Sequence, residues 1–329
     1  VSGRPHGGLI DVVVPMRDAA DHLPTFLASM RANSPPGCRY LVVDDGSVDA
    51  TAELLERAQT SLPQLWVTRL DRPLGVAAAR NVALEQVSAR YLVFADADDW
   101  MAPGRLEALV AAQRRTGAAV LRTDHVRVNG FRRVPDIAPA PVRNVRFAAS
   151  EGIGDAGGRA LVDYPFLWAG LFDLAQLPPS GLAFDATLRT ASDRPWFWRL
   201  HLTETTVAVV TAPPYFYRRN ANSASLTERP HPRLLDIIPA MRQVLGLAAG
   251  SPVSAHRRRA AFTAVRLVCL HLSRHHRLHP DWQREFVESA GALLAEIAPE
   301  DFAGALAHTI AEEAVIASRL REAGERWAA

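Results

Sequence analysis

The chain opens on a short apolar run, LIDVVVP, and then passes into ADHLPTFLASMRA, where apolar residues recur at helical spacing. The exchange repeats. CRYLVVDD and SVDATAELLERAQ form a second pair, QLWVTRL and GVAAARNVALEQV a third, ARYLVFA and PGRLEALVAAQRRTG a fourth, and AAVLRTDHVRV reads as one further strand. Short continuous apolar runs bounded by turn residues suit strands buried on both faces, and the segments between them carry the period of amphipathic helices. The alternation predicts an α/β fold with a mostly parallel sheet and helices on both faces. In such sheets ligands bind beyond the carboxyl ends of the strands. Two acid clusters fall there: Asp44 and Asp45 after the second strand, and Asp96, Asp98 and Asp99 after the fourth.

From about residue 130 to residue 227 the pattern turns irregular, through VPDIAPAPV, EGIGDAGGR, DYPFLWAGLFDLAQL and RPWFWRL. Long, weakly periodic connections inside a compact domain are usually functional. After RPHPRLL the chain becomes rich in alanine and leucine at helical spacing. These shifts divide it into a catalytic region, 1–228, with a ligand-binding half at 1–125 and an acceptor half at 126–228, followed by a helical region, 229–329.

Composition removes several classes. The 329 residues are 48% hydrophobic, as in an ordinary globular protein, and a formal net charge of +2 leaves no broad positive field. With no basic stripe interleaved with aromatics, nucleic acid is not expected as a partner. All 37 residues in the Lys and Arg count are arginine, a bias to which we attach no function. Cys38 and Cys269 lie far apart, which suits a reducing compartment and excludes a thiolate zinc site. No apolar run is long enough to span a bilayer, and VSGRPHGG has neither a signal-peptide core nor an initiating Met. The expectation is a cytoplasmic protein with a trimmed start.

The triple acid cluster carries the chemistry. Neighbouring carboxylates at the end of a buried strand repel one another and pay for desolvation, so a fold keeps them there when something positive binds. Gly75, Arg80 and Asn81 mark a helix start of the kind that holds anions. No GxGxxG follows the first strand, which disfavours a dinucleotide enzyme.

Taken in order, VVVPMRDAADHLPTFLASM, LVVDDGSVDAT, PLGVAAARNVALE, YLVFADADDWMAPGRL, FLWAGLFDLAQL with GLAFDATLRTASDRPWFWRL, and PPYFYRRNANSAS resemble the motifs of the family 2 inverting glycosyltransferases with the GT-A fold. The resemblance spans roughly two-thirds of the chain and implies transfer of a sugar from a nucleotide-diphosphate sugar to a hydroxyl acceptor, dependent on Mn²⁺ or Mg²⁺. The acceptor classes left open are polysaccharide, cell-wall-type polymer, glycolipid and secondary metabolite. By the same resemblance Asp45 contacts the nucleotide base beside Pro15 and Arg17, an arginine where the family commonly has an aromatic residue, while Asp18 replaces a common Asn. Gly75 and Arg80 face the diphosphate, Asp98 with Asp96 holds the metal, and Asp96 also supports the ribose. Asp193 corresponds to the family's catalytic base, though Ser192 stands where the family usually has Glu, and capping by Ser192 and Asp193 is the competing role. Tyr217, Arg218 and Ser223 match a segment that closes over the diphosphate, and Trp168 or Trp196 offers a sugar-stacking face unless it packs in the core.

Two other readings accompany this one: a sugar-nucleotide nucleotidyltransferase, which needs a glycine-rich loop that VVVPMRDAAD lacks, and a catalytically silent scaffold of the same fold. In the tail, Phe262, Val265, Val268, Cys269 and Leu272 share an apolar face opposite arginines and histidines, the latter including His271, His275 and His279. A solvated basic face is the default there. Packing on the catalytic region or on a second copy would cover the apolar side, and attraction to an anionic membrane at the periphery is a further expected role.

Overall fold

The computed structural model describes residues 8–177, 181–219, 231–274 and 278–328. It divides into two compact units, one of Val1–Ala148, Phe166–Ala186 and Thr205–Ser223, the other of Ala149–Pro165, Thr187–Glu204 and Ala224–Ala329.

In the first unit β1 (Ile10–Met16) pairs in parallel with β2 (Cys38–Asp44) and with β4 (Tyr91–Phe94), and β2 pairs with β3 (Leu65–Arg69). Every residue of β1 and β4 is buried, as continuous apolar strands covered on both faces must be. The connections are helices α1 (Leu23–Arg31), α2 (Thr51–Gln59) and α3 (Val76–Leu84), with α4 (Arg105–Thr116) after the short strand β5 (Trp100–Met101). The predicted mostly parallel α/β sheet is present.

The stretch AAVLRTDHVRV is two strands, not one. β6 (Val120–Thr123) lies in the large sheet and β7 (His125–Asn129) in a second sheet, with the chain crossing at Asp124. The Asp124 carboxylate is held there by the Ala138 N–H at 2.8 Å and by Arg143 at 2.8 Å. The irregular middle segment also contains β8 (Arg132–Asp136), β9 (Arg146–Ala148), β10 (Gly170–Asp173), β11 (Thr206–Val210) and β12 (Tyr215–Arg218). The large sheet runs β3-β2-β1-β4-β10-β6-β11-β9 and the small one β5-β12-β7-β8. Strand β10 inserts antiparallel between β4 and β6, and its backbone comes so close to β6 at Gly170 that a Cβ would collide with the Leu121 carbonyl.

The second unit is helical: α5 (Asp193–His201), α6 (Ile237–Ala249), α7 (Ser254–Leu272), α8 (Pro280–Ala295), α9 (Pro299–Leu306) and α10 (Ala311–Ala328). Its core joins Ile153, Val162 and Trp198 to Met241, Val265, Phe286 and Leu294, so α5 and the 149–165 segment share one apolar interior with the tail helices. Helices α8 and α10 meet backbone to backbone, since a Cβ on Gly324 would strike the Gly291 carbonyl.

The first turns of α7 do not present their arginines as the solvated face expected from the pattern, although Arg266 further along is exposed. Arg257 pairs with Asp301 at 3.2 Å, Arg258 pairs with Asp155, and the buried Arg259 donates to the carbonyls of Asp155, Gly157 and Gly158. Three consecutive arginines therefore fasten the 155–158 loop and α9. Among the described residues, no helix is long and apolar enough to cross a membrane.

Candidate active site

The first two loops of the sheet are sewn together. The N–H groups of Asp18, Ala19 and Ala20 donate in turn to Ser47 Oγ at 2.9 Å, Thr51 Oγ1 at 2.8 Å and Asp49 Oδ2 at 3.1 Å. Asp18, with φ of 47°, returns a bond by accepting the Val48 N–H at 2.9 Å. Ser47 thus binds the loop ahead of α1 instead of capping α2, and Asp49 serves both, taking the Thr51 N–H at 2.9 Å as well. Arg17 is half-exposed and lies 3.4 Å from Asp18. Pro15 is buried in β1, in register with Val43.

Asp45 reaches from the end of β2 to the entrance of α3. Its two oxygens accept the N–H groups of Leu74 at 2.6 Å and Gly75 at 2.8 Å, and the residue is only 4% exposed. Gly75, with φ of 97°, precedes α3, and a side chain at this residue would meet nothing within 4 Å. Open space beside a positive-φ glycine leaves the helix entrance accessible. One turn along, Arg80 is buried, stands over the Phe184 ring at 5.5 Å and pairs with Asp96 at 3.2 Å. Asn81 closes a reciprocal clip on the Phe184 backbone, donating to its carbonyl at 2.8 Å and accepting its N–H at 2.8 Å. The sequence marks Asn81 only as Arg80's neighbour; an Asn inside a helix, where it is a poor former, is the signal that it binds elsewhere.

The acid cluster is braced by β12. Tyr215 Oη accepts the Asp96 N–H at 3.0 Å, Asp99 Oδ1 accepts the Arg218 N–H at 2.7 Å, and Arg218 Nε donates to the Asp98 carbonyl at 2.7 Å. The Arg218 guanidinium covers Trp100 at 4.8 Å, and Trp100 stacks on Phe216. The three acids therefore differ. Asp99 is 1% exposed, and burial with the charges of Asp98 and Asp96 holds its carboxyl well above the usual range. Asp98 reaches solvent, yet the protein packed about it and the neighbouring Asp96 charge still raise it. Asp96 is half-buried and tied to Arg80.

Among the described residues no three His, Cys, Asp or Glu side chains form a ready metal cage. The accessible hard-oxygen donors are Asp98 and Asp96, which fits an ion of the Mg²⁺ or Mn²⁺ kind that takes few protein ligands and fills its shell with water and phosphate oxygens.

Of the aromatic candidates, Trp168 is 4% exposed and lies flat against Tyr215 with ring centroids 4.3 Å apart, and Trp196 is 1% exposed against Phe197. Both are packing residues here, because a sugar needs an open ring face. Tyr217 joins the same cluster beside Trp168 at 5.3 Å, and burial pushes its hydroxyl up to about 12. Ser223, like His275, lies outside the described residues.

In the helical unit Asp193 is the first residue of α5 and half-buried. Ser192 occupies the cap position but its side chain makes no capping bond. Two residues before Asp193, Ala191 adopts φ of 58°, a left-handed conformation that costs a non-glycine residue about 1 kcal/mol. Asp193 lines a cavity of about 250 Å³ with Arg194, His271 and Arg274. Asp173, by contrast, is fully buried and taken up by Arg90, Gln113 and Gln176, a structural carboxylate.

Known proteins resemble this chain in sequence and in fold. The chain is 33% identical over 99 residues to the teichuronic acid biosynthesis glycosyltransferase TuaG of Bacillus subtilis, covering 30% of this chain and 39% of that one. It is 30% identical over 191 residues to the succinoglycan biosynthesis protein ExoU of Rhizobium meliloti, covering 55% and 54%. The matches thus span about half or less of these relatives' length. Crystal structures of S. aureus TarS 1-349 superpose with a TM-score of 0.74 in complex with UDP-GlcNAc and 0.72 in complex with UDP, at 17% and 18% identity, covering 96% of this chain and 88% of that one. That likeness establishes the expected GT-A fold. The family model for glycosyl transferase family 2 matches residues 11–176, half of the chain, and the chain belongs to that family.

Proposed function

We propose that the protein transfers a sugar from a nucleotide-diphosphate sugar to a hydroxyl acceptor, with inversion, in building a polysaccharide or cell-wall-type polymer. The observation that carries this is the trio of unequal carboxylates at the mouth of β4, with Arg80 paired to Asp96 on one side and Arg218 bonded to the Asp98 carbonyl on the other. A cluster of acids flanked by arginines suits a diphosphate that arrives with a cation. The polymer class rests on TuaG and ExoU, and a uridine diphosphate donor on the TarS complexes.

In this reading Asp98 and Asp96 hold Mn²⁺ or Mg²⁺, which when bound neutralises charge on the departing diphosphate. Asp45 fixes the loop into α3 and uses its remaining lone pairs toward the base imide N–H, beside Pro15 and Arg17. Gly75 leaves room for phosphate oxygens, Arg80 and Arg218 bind them, and Asp99 holds the Arg218 backbone. Tyr217 and Ser223 belong to the closing segment of this reading. Asp193 takes the proton of the attacking acceptor hydroxyl, since a single in-line displacement needs a base opposite the leaving group. Its place at a cavity wall, half-buried, favours that role.

The test measures nucleotide release from UDP-GlcNAc and a panel of UDP-sugars with a hydroxylated acceptor, with and without chelator. Asp193→Asn should cut turnover about a hundredfold with donor affinity nearly unchanged, because Asn keeps the size and shape of Asp at the first position of α5. A near-normal rate in that variant would remove Asp193 as base, and full activity under EDTA would remove the metal.

A further inference from the structure

The small sheet carries a hairpin whose apex side chain the fold does not use. Strands β7 and β8 pair from His125 opposite Asp136 to Asn129 opposite Arg132, and Gly130 and Phe131 make the turn. Gly130, with φ of 56°, supplies the left-handed backbone that a tight hairpin needs. Phe131 adds nothing to the packing: it is fully exposed, at 102%, and its ring stacks on no neighbour among the described residues. A lone exposed aromatic is ordinary by itself. Here, however, the next two residues, Arg132 and Arg133, are exposed as well, and among the described residues neither guanidinium has a hydrogen-bond or ion-pair partner. Successive strand residues take opposite faces, so Arg132 stands beside Asn129 on one face and Arg133 beside Val128 on the other. The hairpin's own acid, Asp136, lies at the far end against His125 and Arg127. The apex is an apolar point between two uncompensated cations.

The register fixes which end of the sheet it marks. Strand β12 runs parallel to β7 with Arg218 opposite Val128, and the Arg219 N–H donates to the Val128 carbonyl at 2.6 Å. Arg218 donates in turn to Asp99 and to the Asp98 carbonyl. The turn therefore sits at the same end of the small sheet as the acid cluster, two to three strand spacings of about 4.8 Å to the side.

We infer that the β7–β8 apex anchors the protein to an anionic lipid surface: Phe131 enters the headgroup layer, Arg132 and Arg133 meet lipid phosphates on either side of it, and the mouth of the acid cluster is held at that surface. The inference stands whichever reaction the acids serve. A ring flanked by arginines suits the boundary of a bilayer, where the ring meets hydrocarbon and the long basic side chains reach the phosphates. With guanidiniums on both faces, the hairpin meets a surface end-on. A second copy adding along the β8 edge is opposed by Arg132 and Arg133, which would face their own equivalents, and by Pro135, which has no N–H to donate. A soluble polyanion would use the arginines and leave the ring in water.

The experiment is sedimentation with vesicles, without donor or metal, so that turnover does not enter. The protein should pellet with phosphatidylcholine vesicles containing about a third phosphatidylglycerol and stay in solution with phosphatidylcholine alone, and added salt should weaken the binding. Phe131→Ser should weaken it about tenfold and Phe131→Trp should preserve it, both with unchanged melting temperature because the position is fully exposed. Arg132→Ser and Arg133→Ser should each cost about fivefold. Dextran sulfate, a polyanion with no hydrocarbon, should bind the parent and Phe131→Ser equally. A parent that stays in solution with the anionic vesicles, or a Phe131→Ser variant that pellets as the parent does, would overturn the inference. So would a double arginine variant with parental binding, or a loss of dextran sulfate binding in Phe131→Ser equal to its loss on vesicles.

Discussion

Asn81 is the residue on which the local architecture of the donor side can be tested most directly. It bonds both backbone groups of Phe184, a residue 103 positions away, and Phe184 in turn lies under the Arg80 guanidinium. Replacing it by alanine removes two neutral hydrogen bonds at about 1 kcal/mol each and leaves the Phe184 N–H and carbonyl to find other partners at a cost of about 1 to 3 kcal/mol. Alanine returns about 0.6 kcal/mol through its better helix propensity. The net loss is therefore about 2 to 4 kcal/mol, large against a whole-domain stability of about 5 to 15. Aspartate sharpens the test. It keeps the bond from the Phe184 N–H but sets a carboxylate oxygen against the Phe184 carbonyl, so despite its nearly identical shape it should be no better than alanine. Hydrogen exchange in a peptide covering residues 182–186 reads the local effect, and urea unfolding reads the global one. Because Phe184 supports Arg80, both variants should also raise the donor KM more than they lower kcat. If Asn81→Asp stays within about 0.5 kcal/mol of the parent and the Phe184 amide exchanges at its normal rate, the clip is not what holds this loop.

Three further outcomes follow from the packing and the charges. Asp99 has its carboxyl raised in the folded state by burial and by Asp98 and Asp96, so its contribution to stability is full below the ordinary carboxylate range and is lost as pH rises through its raised value. Asp99→Asn keeps an acceptor for the Arg218 N–H and removes that loss, so in urea titrations the variant should gain on the parent as pH climbs from about 4 to 8; a parent that gains instead contradicts the assignment. Gly170→Ala forces a methyl into the Leu121 carbonyl between β10 and β6 and should cost about 3 kcal/mol or more, measured as a lower urea midpoint at unchanged slope. Gly324→Ala should separate α10 from α8 in the same way and lower the melting temperature, with UDP-sugar affinity unaffected.

What the sequence determined by itself is the part of the molecule in which local and long-range demands coincide. LIDVVVP and YLVF are uninterrupted apolar runs because both faces of β1 and β4 are covered, and a strand of that kind declares itself without reference to its partners. The acids at its carboxyl end were legible for the same reason, since charge next to such a run has few structural uses. Beyond residue 130 the strands are only three to five residues long, and β8 reads RRVPD along an edge. Strands this short show no period, and whether each one forms depends on a partner distant in the chain. The same dependence decided the roles of individual side chains. Asp45 and Asn81 find backbone groups 29 and 103 residues away, respectively, Trp168 and Trp196 lie in packed interiors, and Arg257 meets α9 while Arg258 and Arg259 meet the 155–158 loop, partners that their helical pattern could not foresee. A sequence pattern reports which face of an element is apolar, but only the folded chain decides whether a polar or aromatic side chain meets solvent, ligand or a buried partner, because that depends on what the rest of the molecule brings opposite it.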